Sequence, residues 1–537
     1  MIQNKMDFSM HMNKILGFLS TCVLLTGCAT TATRNTWHGE YGTLAPAGPA
    51  QTMYGTHTET DNAPHRMAVL LPLSGNNAAT GRVIKTSIET AVLQRAPQSL
   101  SVSFFDTGAN TAAAINNALS QNPEIIVGPL FAADARMLRS MKPSEMPAIS
   151  FTSDATAIGD GVMTMALMPT NGVEAIVREI SADKSRAMVI LAPETSSGRL
   201  MAAAARAAAT NYDIPVAGVV FYREKDTDSI KNTAHTASLY AARSAANNRA
   251  REILSDILTT ERLTAIEKSS LSRQLDRISK SETIGRLPYD AVLMLGTGDD
   301  AKSLVSFLRY YGVGARDVRL YGTAMWDGAN IDSDITLSGA KYPALPEMNP
   351  AFVNVYEQIA GTAPSRLASF GYDAANLAVG MIYSDKSNAA YLLDPSGYVG
   401  IDGLFRLTPN GASQRALRIV EIAGAPTPRE VKAAPTSFLS PVYNIDQQSL
   451  SPARAMAMET PGINPMTYIQ IPDRLTGKYK SKTYGANVTQ TPVPEQQNIV
   501  TILPEDDSDE IVANPDFKPH ALESVNRTYI DSVEIYE

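Results

Sequence analysis

The side chains that most often carry catalysis are few in this sequence and fall far apart. Its six histidines are His11, His38, His57, His65, His235 and His520, and only His235 lies within a stretch of periodic apolar pattern. The two cysteines, Cys22 and Cys28, sit close together near the start. A Ser, Thr or Cys nucleophile needs a base within hydrogen-bond reach, and one isolated histidine supplies neither a Cys/His pair nor a Ser/His/Asp set. No His or Cys spacing suits zinc. Carboxylates are abundant but form no constellation. The residues therefore predict no catalytic site, no metal and no cofactor.

Two glycine turns follow strand-like runs. "LGTGDDA" (Leu295 to Ala301) imitates a G-x-G-x-x-A dinucleotide turn. The ribose-binding acid expected about 20 residues later is missing, because the next strand end reads "RLYGTA". The reading is a glycine turn at a strand end, without a nucleotide. "EIIVGPLFAADARML" (Glu124 to Leu138) runs from a buried strand through Gly128-Pro129 into a helix. That is how open α/β sheets build a ligand crevice.

The elements around these turns alternate. "RMAVLLPL", "LSVSFFDT", "EIIVGPL" and "MPAISFTS" read as strands separated by amphipathic helices. A second series follows, with "RAMVILAPE", "AGVVFY", "YDAVLMLGTG" and "VRLYGTA" as strands. Short, continuously apolar runs between helices indicate parallel sheets covered on both faces. Two such series predict an α/β fold of two doubly wound parallel-sheet lobes with a central cleft. The first lobe is expected at about 66–180 plus about 345–395, and the second at about 181–344. Between about 226 and 286 the strand signal disappears and Leu254, Leu258, Leu271 and Leu275 recur at helical spacing. This is a helical insert, read either as a hairpin folded onto the second lobe or as an arm for a partner.

Net charge is −8 over 537 residues, and Lys and Arg are scattered, which argues against nucleic acid as a partner. Lys5 and Lys14 precede the apolar run "ILGFLSTCVLL", too short for a permanent span. Leu25-Thr26-Gly27-Cys28 closely resembles the bacterial lipobox. This predicts a signal peptide over 1–27 and a mature chain lipidated on Cys28, with no other thiol and no disulfide. The lipid implies a membrane anchor. Ala29, where an inner-membrane retention signal would often carry Asp, leans toward the outer membrane, with the body facing the periplasm. Residues 28–64 read as a flexible tether of roughly 30–40 Å mean span. Residues 65–425 form the expected body. From 426 to 537 the composition, with the acidic run "EDDSDE", reads as a mostly disordered tail.

The order of elements and the strand ends "VLLPLSG", "IIVGPLF" and "PAISFTS" resemble the first lobe of type I periplasmic binding proteins, the Leu/Ile/Val-binding-protein fold. "LYGTAMWDG", "PSRLASFGYDA" and "GYVGIDGLFRLTPNGASQRALRIVEI" resemble the penicillin-binding protein activator lipoproteins. The resemblance covers about Arg66 to Gly424. It implies a cleft lined from the first lobe by Ser74, Gly75, Gly128, Pro129, Leu130, Thr152 and Ser153. From the second lobe it implies Thr195, Ser197, Gly296, Thr297, Gly298, Met325 and Trp326. Two departures from amino-acid receptors stand out. Asp154 beside the Thr152-Ser153 pair would oppose a ligand carboxylate if it faced inward, and Ser197 stands where such receptors commonly carry an aromatic. Trp326 either fills that gap or packs beneath the lobe interface. The resemblance then implies a non-enzymatic regulator acting on a bifunctional penicillin-binding protein by contact. The alternative is a lipoprotein receptor that binds an amino acid or similar small molecule in the cleft for an ABC transporter.

Overall fold

The computed structural model describes residues 50–53, 64–95, 99–438, 449–458 and 462–483, all within one compact unit of the chain. The signal peptide, Cys28, most of the tether and the chain from 484 onward lie outside the described residues.

The first lobe begins with β1 (Gln51–Thr52), β2 (His65–Leu71), α1 (Ala78–Arg95), β3 (Leu100–Asp106), α2 (Thr111–Ser120), β4 (Ile125–Val127), α3 (Ala132–Met141), β5 (Ala148–Ser150) and β6 (Val162–Thr164). Strands β2 to β6 form an all-parallel sheet in the order β3-β2-β4-β5-β6. Its central strands are buried along nearly their whole length, as a sheet covered on both faces requires.

The second lobe is built from α4 (Pro169–Ala182), β7 (Met188–Pro193), α5 (Ser196–Asn211), β8 (Val216–Tyr222), α6 (Thr227–Ala237), α7 (Tyr240–Thr260), α8 (Ala265–Ser279), β9 (Ala291–Met294), α9 (Gly298–Tyr310), β10 (Arg319–Tyr321) and β11 (Lys341–Ala344). The chain then returns to the first lobe with α10 (Pro350–Ala360), α11 (Arg366–Ile382), α12 (Asn388–Leu392), β12 (Tyr398–Gly400), β13 (Gly403–Leu407) and β14 (Ser413–Arg415). Strands β1, β12, β13 and β14 make a small sheet in that order. A last crossing adds β15 (Arg418–Glu421) and β16 (Arg429–Lys432), antiparallel, to the edge of the second lobe's sheet. That sheet has the order β16-β15-β11-β10-β9-β7-β8.

Helix α11 shows how the first lobe is closed. From Ala368 to Ile382 every residue is buried, the polar Ser369, Asp373 and Asn376 included. It lies so close to α1 that a Cβ on Gly371 would stand 2.3 Å from Ser87 Oγ. A glycine facing a serine is what lets the two backbones approach.

The alternating strands and helices read from the sequence are all present, but the lobe limits differ. Helix α4, expected in the first lobe, packs against α5 and β11 of the second, because its apolar stripe (Val173, Ile176, Val177, Ile180) joins that core. Residues 418–432 also belong to the second lobe, and 398–415 to the first.

The stretch expected to be a mostly disordered tail is ordered in part. Phe438 is 3 % exposed and lies against the small sheet, with the Arg406 guanidinium 4.3 Å from its ring centre. Met456 pairs with Val219 by two backbone hydrogen bonds of 3.0 Å, covering the β8 edge. Helix α13 (Asp473–Thr483) then lies on the insert, where Ile469, Leu475 and Tyr479 complete a core with Ile253, Leu254, Ile257, Leu271 and Ile278. Around that core, Gln274 exchanges hydrogen bonds of 2.9 and 2.7 Å with the Gln470 backbone, and Arg474 clasps Glu267. Tyr479 also donates to Asp256 at 3.0 Å. Polar composition hid this segment, since only one apolar residue in three or four turns toward the hairpin.

The insert is therefore a hairpin roofed by the chain's own downstream segment. Leu475→Ala removes a side chain only 7 % exposed and should cost roughly 2–3 kcal/mol locally. Hydrogen exchange should show faster amide exchange in α7 and α8 with the first-lobe sheet unchanged. Unchanged protection of the hairpin would show that α13 does not hold it.

Candidate ligand cleft and interlobe junction

The chain leaves the carboxyl ends of β6 and β11 to cross between lobes. The carboxyl edges of both sheets therefore face the junction, where α/β sheets place their crevices. On the first lobe, Asp106 organises the rim: its Oδ1 accepts from the backbone N–H groups of Leu73, Ser74 and Gly108 at 2.8, 3.1 and 2.8 Å. Although burial opposes it, hydrogen bonding from Ser74, Gly108 and Leu73 holds its carboxyl below the usual range. Gly128 has φ +99° and a Cβ there would meet Leu70 O at 2.0 Å, so strand β4 can end here only with glycine. Gly128, Pro129 and Leu130 are buried, while Ser74 is half-buried and Gly75 and Ser153 are exposed. The Thr152 hydroxyl accepts from Asp154 N at 3.1 Å. Asp154 does not stand free to repel an anion: Arg136 Nη1 reaches it at 2.9 Å, and its other oxygen caps the turn at Ala155–Ala157.

On the second lobe the hydroxyls are again committed to their own loops. Thr195 caps α5 by accepting from Gly198 N at 3.0 Å, and Thr297 caps α9 by accepting from Asp300 N at 3.4 Å. Glu194 pairs with Arg199 at 2.9 Å. Ser197 and Thr297 are half-buried, and Met325 is 45 % exposed. The expectation that Trp326 lines the cleft does not hold. Its ring is fully buried, packs on Tyr342 and donates Nε1–H to Gly296 O at 3.0 Å. It sits beneath the floor as a packing residue, and Gly296 and Gly298 are buried with it.

Three residues that the sequence reading missed collect beside Gly296. The Tyr222 hydroxyl is buried without a hydrogen-bond partner among the described residues. A Cβ on Gly296 would lie 1.8 Å from that oxygen and 3.8 Å from Asp300 Oδ2. Burial and the nearby Asp300 charge raise the Glu224 carboxyl, and burial likewise raises Asp300. Strand alternation ended at Tyr222 in the sequence, and nothing there distinguished its hydroxyl.

The junction itself is built from buried charge. Arg415 Nη2 donates to Met165 O at 2.7 Å, its backbone N–H donates to Asn171 Oδ1 at 2.7 Å, and its guanidinium lies 4.3 Å from the Phe370 ring centre. Ser413 donates to Ala166 O. At the second crossing, Arg366 donates to Pro346 O at 2.9 Å and to Asp402 at 2.5 Å, while Arg418 Nε donates to Leu345 O at 3.1 Å. Asp402 also accepts from Ser369. Fully buried Asp373 accepts from Ile401 N at 3.0 Å, and burial pushes its carboxyl up to about 8, with Arg415 opposing and Asp402 adding to the shift. The carbonyls where the chain leaves each lobe are thus held by buried side chains, and Arg366 of α11 reaches across to Pro346 O.

The chain is similar to known proteins in sequence and in fold. The family model described as "LppC putative lipoprotein" matches residues 35–382. The penicillin-binding protein activator LpoA of Pasteurella multocida (strain Pm70) is 25% identical over 268 residues, covering 48% of this chain and 44% of that protein, so the match spans less than half of the relative's length. Among solved structures, one assigned as a branched-chain amino acid ABC transporter protein from Rhodospirillum rubrum aligns over 68% of this chain and 99% of its own, at 16% identity and TM-score 0.51. That likeness establishes the type I periplasmic-binding-protein fold. The LpoA (YraM) C-domain from Haemophilus influenzae, a regulator of PBP1A, aligns over 68% of this chain and 99% of its own, at 14% identity and TM-score 0.46.

Asp373 makes a test of the junction. Its carboxyl is raised in the folded chain to about 8 from 3.8, so between those values the native state holds a proton that the unfolded state has lost. Stability contributed by this site therefore falls as pH rises from about 4 to about 8. Asp373→Asn keeps an oxygen for Ile401 N and removes the titration. Its stability relative to the parent chain should grow by more than about 1 kcal/mol between pH 4 and pH 8 in urea unfolding. A difference independent of pH would contradict the buried, protonated carboxyl.

Proposed function

We propose that this chain, which belongs to the LppC lipoprotein family, is a lipid-anchored, non-enzymatic activator of a bifunctional penicillin-binding protein. The observation that carries this reading is its likeness over 268 residues to a penicillin-binding protein activator. The cleft is consistent with it. Most polar groups at the strand ends are occupied in capping their own loops, which leaves few to converge on a solute.

In this reading Cys28 carries the lipid and holds the protein at a membrane facing the periplasm, the outer membrane rather than the inner. Among the described residues no helix is long and apolar enough to cross a membrane. The tether lets the body reach a synthase at a distance. Activation is then allosteric: contact must favour the active conformation of the synthase over the inactive one. The insert supplies the contact surface. Because α13 fills its apolar groove, its charged outer face is what a partner meets, including Lys268 and Arg273 on α8.

One observation favours the receptor alternative, the unpartnered Tyr222 hydroxyl beside Asp300 and Glu224. An ammonium-bearing solute such as an amino acid would suit that group.

The test is glycan polymerisation and peptide cross-linking by purified bifunctional penicillin-binding proteins from the source organism, with and without the full chain. The reading predicts a several-fold rate increase with one of them, reduced by Lys268→Glu with Arg273→Glu and unaffected by Tyr222→Phe. No stimulation of any of them would overturn it. Stimulation that survives the charge reversals would overturn only the assignment to the insert.

A further inference from the structure

The two large sheets end in the edge strands β3, β6, β8 and β16. The outward backbone groups of such a strand need a partner, a cover or a deterrent. Gly411 O accepts from Thr164 N at 2.9 Å and closes the β6 edge, and Met456 pairs with Val219 on β8. Strand β16 is short, charged at Arg429, Glu430 and Lys432, and bulged against β15. Strand β3 has none of these devices among the described residues. It runs as "LSVSFFD" in unbroken register with β2, without Pro, Lys or Arg, and every residue is at least partly accessible.

The ladder fixes which groups of β3 face outward. His65 N donates to Ser99 O and Thr107 N donates to Leu71 O, both at 2.9 Å. With the parallel register of β2 and β3, the N–H and C=O groups of Ser101, Ser103 and Phe105 therefore turn toward β2. Those of Leu100, Val102, Phe104 and Asp106 point away, and no described residue bonds them there. We propose that β3 pairs with β3 of a second copy of this chain, antiparallel about a two-fold axis at Ser103. This register overlaps the whole strand and matches outward groups with outward groups. Val102 exchanges bonds with Phe104 of the second copy, Leu100 with its Asp106, and Ser103 lies opposite Ser103. Val102 and Phe104 thereby form a β-branched–aromatic cross-strand pair.

Charge complementarity selects a second copy as the occupant. As the crossover between two parallel strands, α1 runs antiparallel to β3, and Lys85 Nζ lies 5.1 Å from the Phe104 ring centre. One strand residue spans about two helix residues along the sheet, so the axis at Ser103 meets α1 at the level of about residue 87. Lys85 then faces Glu89 of the second copy, and Glu89 its Lys85; within each chain the two already lie 3.6 Å apart. Leu93, one turn beyond Glu89 and 74 % exposed, meets the exposed Arg82 across the same axis. Helix α2, on the other face, carries no charged residue to resist the approach. The one carboxylate of the strand, Asp106, lies opposite Leu100 and is already held by Leu73, Ser74 and Gly108 N–H.

The test is disulfide trapping in the full chain with Cys22 and Cys28 changed to serine. Ser103→Cys sets two thiols opposite each other at the axis, in a non-hydrogen-bonded pair about 4.5 Å apart at Cα. A disulfide spans that distance. Ser101→Cys, on the same face and more exposed, stands about 13 Å from its copy in this register. Covalent dimer should therefore form at least about tenfold faster from Ser103→Cys. Glu89→Lys should slow that trapping, and Lys85→Glu combined with Glu89→Lys should restore it. Equal rates from the two cysteines, or trapping indifferent to the charge swap, would overturn the proposal. So would a parent chain that sediments as a monomer at every concentration. Slow exchange of the Val102 and Phe104 amides that does not change with protein concentration would also overturn it, because another part of the same chain would then cover the edge.

Discussion

The arrangement of the whole body depends on a guanidinium with nowhere to go. Arg415 is buried, flanked by Phe370 and Phe405, and its outlets include the carbonyl of Met165. A buried cation is tolerable only where carbonyls, π faces and carboxylates replace its water. Here those partners are drawn from different stretches of chain: the exit of β6, helix α11 and the small sheet. Of the three guanidinium nitrogens only Nη2 finds a hydrogen-bond acceptor among the described residues, Met165 O, while Nε and Nη1 are buried without one, so that single bond ties Arg415 to the point where the first crossing leaves the first lobe. Arg366 and Arg418 do the same for the second crossing through Pro346 O and Leu345 O. Between the lobes themselves, Arg415 N–H bonds Asn171 Oδ1 on α4 and Arg366 bonds Pro346 O.

The consequences extend to the cleft. Loops at the strand ends are pinned by their own side chains, Asp106 on one rim and Thr195 and Thr297 on the other. The chain also crosses the junction more often than the two-series pattern alone requires. After β16 it returns to the first lobe at Phe438, and it reappears on the second along the β8 edge at Met456. A body braced in this way offers a partner a preorganised surface, which suits contact regulation better than capture of a solute by lobe closure.

Much of this was legible in the sequence. Strands such as "RMAVLLPL" and "RAMVILAPE" are continuously apolar because both sheet faces are covered, and that pattern needs no tertiary knowledge. The site was less legible. Trp326 at a strand end was ambiguous between cleft and core, and only packing against Tyr342 and the bond to Gly296 O resolves it. Helix α4 carried an apolar stripe that either lobe's core would have accepted. The roof of the hairpin was hidden because α13 is mostly polar, its docking resting on Leu475 and Tyr479 together with partners more than 200 residues away in sequence, such as Glu267 for Arg474. The chemistry of Arg415 and Asp373 was invisible, since burial rather than residue type makes them unusual.

A braced regulatory body, as proposed, would not close its lobes on a solute. The most direct measurement is the distance between spin labels on the two lobes of the full chain, at exposed Met137 on α3 and exposed Ser306 on α9, with and without free amino acids and cell-wall fragments. A braced body gives one narrow distance distribution that none of these solutes moves. A shift to a shorter distance on adding a solute would mean that the lobes close on it, and would make the protein a receptor.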